Sequence, residues 1–245
     1  MTLSELLSTL RADYLRDTGR PYLWSDATLV NRIDDAQRRF ARQTLCLRDN
    51  STPEVTQVTL VAGQSEYILH EAVIGVISAR YDTSISDLYQ AGHKELATGF
   101  YINSWFNSPS SVSNAPGEPL AWSIDEGLAN EDRGRMTLRI YPVPDSNAAG
   151  KIVYLRTIRM PLTNLSMDNL TSGVPEIPED YHLDLLDWAA YRALRTLDGD
   201  AGGSVAGDRF RQRFEEAVVE CRNEVKRKLF APAKWAYGSS GMRYW

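Results

Sequence analysis

The feature that most constrains the fold is a change of hydrophobic period along the chain. Near both ends, apolar residues recur every three to four positions, which is the spacing of one helical face. From about residue 53 to residue 160 they alternate along short segments instead, which is typical of half-buried strands. A chain of 245 residues is long enough to give a helical part and a β part a core each.

Two amphipathic helices are predicted at the N-terminus. Thr2 and Glu5 have capping-box spacing, in which each side chain accepts a backbone N–H at the helix start. Residues 19–21 interrupt the pattern, and Ser25 is the expected N-cap of the second helix. The positions expected to be buried are Leu3, Leu6, Leu7, Leu10 and Tyr14 in the first helix and Leu29, Val30, Ile33, Ala36, Phe40, Ala41 and Leu45 in the second.

The middle of the chain is predicted to be all-β. Residues 63–64 and 142–150 have turn composition, one short helix is expected near residues 86–97, and the Asn-, Ser-, Pro- and Gly-rich residues 103–119 are expected to form a long loop. The predicted strands are 55–61, 67–69, 73–81, 120–125, 135–141 and 151–158.

Two further helices are predicted after Pro178. Glu179 and Asp180 lie at the start of the first, where negative charge is favourable. Residues 198–207 are expected to separate it from a last helix at 208–230, which Pro232 is expected to stop. The apolar faces comprise Tyr181, Leu185, Trp188, Ala189 and Leu194, and then Phe210, Phe214, Ala217, Val218, Cys221, Val225 and Leu229.

These patterns together predict an α+β fold. We expect the N- and C-terminal helical hairpins to form a four-helix bundle, with an inserted all-β domain and an extended C-terminal tail. The predicted parts are an N-terminal hairpin (1–50), a β-rich insert (51–165), a C-terminal hairpin (166–231) and a docking tail (232–245).

The sequence offers little for catalysis or cofactor binding. Its three histidines and two cysteines have neither H-x-x-x-H nor C-x-x-C spacing, and it contains no P-loop or nucleophile elbow. We therefore expect no enzyme activity, no cofactor and no metal. A net charge of −5 argues against a basic surface over the whole molecule. The start lacks a basic signal-type region and no apolar run spans a membrane, so a soluble, non-exported protein is expected.

Two acidic pairs and two cysteines could be mistaken for catalytic groups. Asp34 and Asp35 are adjacent on a helix and therefore point in different directions. Asp184 and Asp187 share a face, which we expect to be solvated. We expect both cysteines, Cys46 and Cys221, to fill the core rather than react.

The C-terminal segment is rich in large side chains of the kind that anchor binding interfaces. Such residues on a Gly- and Ser-rich segment favour docking into a partner, and the alternative is that the segment packs back on its own body. The candidate docking residues are Lys234, Trp235, Tyr237, Met242, Arg243, Tyr244 and Trp245.

Several segments, in their order and spacing, carry a resemblance to a known family. They are WSDATLVNRIDDAQRRFAR, GQSEYIL, PLAWSIDE followed by MTLRIYPVPDSNAAGKIVYLRTIRMP, and IPEDYHLDLLDWAAYRAL. In these segments the chain resembles the head-to-tail adaptor (connector) proteins of tailed bacteriophages, especially those of short-tailed phages.

The resemblance implies a virion structural protein made in the host cytoplasm and located in the neck between capsid and tail. It implies a ring, typically a dodecamer, that sits beneath the portal protein and extends the DNA channel without sequence-specific DNA binding or membrane contact. The C-terminal segment would reach the portal, and the β part would face tail or nozzle proteins.

Two alternatives remain open from the sequence alone. The first is another neck or tail ring component, such as a tail-completion or nozzle-type protein. The second is a carbohydrate-binding or hydrolytic tail protein built on the β part. It would need an aromatic platform, for which Trp105, Phe106 and Trp122 are available, or paired carboxylates on one sheet face, of which none is evident in the sequence.

Overall fold

The structure is a computed structural model that describes residues 1–82, 84–91, 116–126, 135–196 and 203–241. The chain divides into two compact units. A helical unit comprises Met1–Leu47 and Met160–Trp245, and a β unit comprises Arg48–Arg159. With helices dominating one unit and two sheets the other, the predicted α+β class is confirmed.

The N-terminal helices of the helical unit begin at the predicted caps. Helix α1 (Leu3–Thr9) continues as a π-helical segment (Leu10–Leu15), and α2 runs Asp26–Thr44. Thr2 and Glu5 form the capping box, and the Ser25 hydroxyl accepts the Thr28 N–H at 3.2 Å. These side chains satisfy backbone donors that have no partner inside the helix, so they fix where each helix starts.

The end of α2 differs from the prediction. Leu45 was expected to be buried but is 42% exposed. Its φ of 57° is left-handed, and its N–H donates to the Ala41 carbonyl. A left-handed residue turns the chain away from the helix axis, so its side chain leaves the apolar face.

The C-terminal helices of the unit are α3 (Asp184–Leu194) and α4 (Gly203–Gly241), with 3-10 turns at Met167–Asn169 and Glu179–Tyr181. The predicted end of the last helix at Pro232 is wrong, because α4 continues nine residues further instead of becoming an extended tail. A proline inside a helix removes one hydrogen bond and its ring crowds the carbonyl four residues earlier, so the helix continues only where the flanking residues favour it. Ala231, Ala233 and Lys234 flank it and are strong helix formers.

Two apolar clusters form the core of the helical unit. The first joins the leucines of α1 to Leu29 and Ile33 of α2 and to Leu186 of α3. The second joins Phe40 of α2 to aromatic residues of α3 and α4. Its largest members are Phe40, Tyr181, Trp188, Tyr191 and Phe214.

The described strands of the β unit form two sheets. In the first, β8 (Ile152–Arg159) is central: β4 (Val73–Tyr81) pairs along one edge, while β1 (Arg48–Asp49) and β2 (Gln57–Thr59) pair along the other, all antiparallel. The second sheet has the order β3-β7-β6-β5, with only β5 and β6 parallel. Its strands are β3 (Glu66–Ile68), β5 (Tyr89–Gln90), β6 (Ala121–Glu126) and β7 (Met136–Tyr141).

The β part begins differently from the prediction. Pro53–Thr56 is a helical turn rather than the start of a strand, and it buries Val55 and Thr56 in succession. A proline at the first helical position favours such a turn. A short helix was expected near residues 86–97; the described part, 86–91, is not helical and contains β5, and residues 92–97 lie outside the described residues. Residues 103–115 of the predicted loop also lie outside them.

Candidate docking surfaces of the helical unit

Helix α4 is fixed to the helical unit along one face. Phe214 is fully buried, with its ring centroid 5.9 Å from that of Phe40 and 5.2 Å from that of Trp188. Two turns later, Arg222 donates two hydrogen bonds, of 2.7 and 3.1 Å, to the Gln43 carbonyl at the end of α2. The part of α4 between Phe214 and Arg222 is therefore held against α2 and α3 ahead of the C-terminal segment.

The seven predicted docking residues follow this anchored part of α4 in the chain. Lys234, Trp235 and Tyr237 belong to the helical backbone of α4. The other four, Met242, Arg243, Tyr244 and Trp245, lie outside the described residues.

The prediction that Asp184 and Asp187 face solvent is wrong for Asp187, whose side chain is 2% exposed. Helix α3 is covered by α2 on one side and by α4 on another, so almost no face of it is left for solvent. Burial raises the pKa of Asp187 to about 6, against the opposing charge of Arg213. Burial and the nearby Glu220 also raise the pKa of Asp184.

The partner of Asp187 is Arg213, whose own side chain is 55% exposed. An Nη2 of Arg213 lies 2.9 Å from Asp187 Oδ1, although this oxygen has no hydrogen bond of good geometry. The Arg213 guanidinium also lies over the rings of Tyr14 and Phe210, at 5.8 and 5.5 Å. The charge of Arg213 offsets only part of the cost of burying the Asp187 carboxylate, and we interpret the pair as a packing feature rather than a catalytic one.

The other acidic pair and the cysteines, which were predicted not to be catalytic, also have structural partners. Asp34 accepts the Leu165 N–H at 2.8 Å, while Asp35 accepts the Trp188 Nε1–H at 3.0 Å, so the two carboxylates serve different elements. Cys221 is buried as predicted, and a hydrogen bond with Cys46 together with burial raises the pKa of its thiol. Within the described ranges, no group of three or more acidic, His or Cys side chains is placed to hold a metal ion.

The aromatic platform needed for a sugar-binding protein does not form around Trp122. This side chain is 1% exposed and packs inside the β unit, so it cannot stack on a ligand from solvent. Trp105 and Phe106 lie outside the described residues.

Two open grooves lie on the helical unit. The first, of about 520 Å³, runs along the outer face of α4 and is called the α4 groove here; it is lined by Gln212, Glu215, Glu216, Val219, Glu220, Asn223 and Arg227. The second, of about 350 Å³, lies between the π-helical segment and α4 and is lined by Thr9, Asp13, Tyr14, Leu183, Phe210 and Arg213. The size and the mixed polar and apolar lining of both grooves suit protein contacts.

Comparison with known proteins identifies the family of the chain. A family model described as SU10 adaptor protein matches residues 1–234. The chain belongs to the SU10 adaptor protein family. No curated protein matches it.

Membership gives this adaptor a structural role in a bacteriophage virion. It implies association with portal and tail proteins and a location in the virion neck. The predicted resemblance to phage head-to-tail adaptors is thereby confirmed at the level of the family. In the part of the adaptor that the structure describes, no helix is both long and apolar enough to cross a bilayer.

One surface of the adaptor was missed in the sequence, where residues 19–21 indicated only a helix break. The loop of residues 16–25, called the Arg11 loop here, exposes Tyr22 and Leu23 to solvent. Buried Arg11 holds this loop through hydrogen bonds to Asp17 and to the Trp24 carbonyl. The sequence does show two adjacent apolar residues, Tyr22 and Leu23, within the polar segment between the first two helices. Only the structure shows that the loop is held in place.

Proposed function

We propose that this adaptor assembles as a ring, of twelve copies, beneath the portal. The ring connects the portal to the tail and extends the channel through which the genomic DNA passes. The family match over residues 1–234 carries this proposal. The net charge of −5 is compatible with a conduit, because fixed negative charge does not retain passing phosphates.

The two units and the C-terminal segment have different tasks in this proposal. The helical unit, as a four-helix bundle, packs against neighbouring copies, and the β unit faces the next tail or nozzle protein. The segment from residue 232 onwards binds the portal. Its proposed portal-docking residues are Lys234, Trp235, Tyr237, Met242, Arg243, Tyr244 and Trp245.

The anchoring of α4 supports a docking role for the C-terminal segment. The hydrogen bonds from Arg222 to Gln43 and the 3.0 Å bond from the Tyr181 hydroxyl to Glu224 Oε2 hold the helix close to this segment. A binding segment that extends from a fixed helix loses less conformational freedom on docking than one on a free chain.

Sedimentation velocity of the purified adaptor, alone and mixed with the portal ring of the same virus, tests the proposal. We expect a larger, portal-containing species whose mass gain equals a ring of adaptor copies. A portal ring from an unrelated phage is the control and should stay unchanged. Absence of a complex at every salt concentration would contradict the proposal and favour a more distal neck or tail ring component.

A further inference from the structure

The exposed part of the Arg11 loop combines apolar and basic side chains. Tyr22 is 40% and Leu23 is 61% exposed, and they are adjacent in the sequence. Arg16 and Arg20 are exposed beside them, and the Arg20 guanidinium lies 5.7 Å from the centre of the Tyr22 ring. Tyrosine and arginine are the residue types that most often dominate the energy of protein interfaces.

This loop is held in shape before any partner arrives. The Arg11 guanidinium donates to Asp17 Oδ2 at 2.6 Å, to the Trp24 carbonyl at 2.7 Å and to Asp26 Oδ1 at 2.6 Å. Asp17 in turn accepts the backbone N–H of Leu23 at 3.0 Å. Because these bonds already fix the backbone, presenting Tyr22 and Leu23 to a partner requires little further ordering.

The α4 groove has the complementary character. Val219 is 56% exposed on the outer face of the helix, and Glu215, Glu216 and Glu220 surround it, with Arg227 as the groove's basic member. Glu215 is already paired with Arg211 at 2.8 Å, so the groove offers an apolar centre with Glu216 and Glu220 as its acidic rim. All the residues that line the groove belong to α4 and the groove is wide open to solvent, so a partner lies against this helix face rather than inside an enclosed cavity.

We propose that the Arg11 loop of one copy docks into the α4 groove of the neighbouring copy in the ring. Leu23 and Tyr22 cover Val219, while Arg16 and Arg20 face Glu216 and Glu220. Loop and groove are different surfaces of one chain, so the contact is head-to-tail and can close into a ring. This interface rests on the proposed ring and names the surfaces that form it.

Charge reversal on each surface tests the pairing. The loop variant is Arg16→Glu with Arg20→Glu, and the groove variant is Glu216→Lys with Glu220→Lys. Each is mixed with the portal ring, and the number of adaptor copies bound per portal is measured by sedimentation. The matched control, Arg80→Glu with Arg156→Glu, makes the same charge change on exposed arginines of the β unit.

We expect each variant alone to reduce ring occupancy at least tenfold, because like charges meet at every contact. An equimolar mixture of the two variants should restore the ring, since alternating copies bring opposite charges together again. The control should bind as the wild type does. Two results would overturn this interface while leaving the proposed ring intact. In the first, the wild type forms a ring and both variants bind the portal as it does. In the second, the mixture of the two variants binds as poorly as each variant alone.

A cross-link provides a second measurement that does not alter charge. In Leu23→Cys with Val219→Cys, oxidation of the portal-bound adaptor should produce a ladder of disulfide-linked multimers, whereas neither single variant should produce one. Monomers only would overturn the interface. If the wild type itself forms no ring on the portal, the proposed function fails, and the interface fails with it.

Discussion

At the scale of single residues, Asp187 links folding of the helical unit to pH. Its pKa rises from the ordinary 3.8 to about 6 because the folded protein buries it. The folded state therefore holds the proton more tightly than the unfolded state. Ionisation costs stability progressively as the pH rises from about 4 to 6, and the full cost is present above pH 6.

We expect Asp187→Asn to stabilise the adaptor at pH 8 and to leave its stability at pH 4 nearly unchanged. The rise in pKa limits the gain to about 3 kcal/mol. Chemical unfolding of both proteins at pH 4, 6 and 8 measures the difference. Asp168→Asn, at an exposed carboxylate of the same unit, is the control. A variant that is less stable than the wild type at pH 8 would show that the ion pair with Arg213 outweighs burial.

At the scale of elements, Asp49 organises the turn that joins β1 to the helical turn Pro53–Thr56. It accepts backbone N–H bonds from Ser51 and Thr52, both 2.9 Å, and the Arg159 Nε–H at 2.8 Å. Burial opposes its ionisation, but these hydrogen bonds outweigh burial and lower the pKa of Asp49. The stabilisation is therefore complete above about pH 4 and is lost as the pH falls below that value.

We expect Asp49→Asn to destabilise the β unit by about 3 kcal/mol at neutral pH, because an amide NH₂ then faces buried donors. Hydrogen exchange of the Ser51 and Thr52 amides should accelerate first. Asp145→Asn changes an exposed turn carboxylate of the same unit and should have a smaller effect. Unchanged exchange at Ser51 and Thr52 would contradict the role given to Asp49.

Local signals predicted the elements that depend on nearby residues. Thr2, Glu5 and Ser25 fix helix starts through bonds within one turn, so their spacing was sufficient. The burial of Asp187 depends on α2 and α4 covering α3, and no spacing within α3 reveals those neighbours. The fixed Arg11 loop likewise depends on Asp17 and Asp26 meeting one guanidinium. The sequence indicated the proposed docking segment only through composition, because the proposed partner, the portal, is a different protein.

At the scale of the whole molecule, the proposed division of tasks separates folding from portal docking. Among the side chains of α4 that the structure describes, the buried core members Phe214, Ala217, Val218 and Cys221 precede Arg222, which binds the end of α2. Val225 packs, partly buried, against the same cluster. We expect the residues beyond Pro232 to contribute to docking rather than to the core of the helical unit.

Deletion of residues 232–245 should thus leave the fold intact and weaken portal binding at least tenfold. Circular dichroism and the unfolding transition check the fold, and sedimentation with the portal ring checks binding. Deleting only residues 242–245 separates the last four docking residues from Lys234, Trp235 and Tyr237, and we expect an intermediate loss. A truncated adaptor that folds and binds the portal normally would show that docking uses a surface of one of the two units instead.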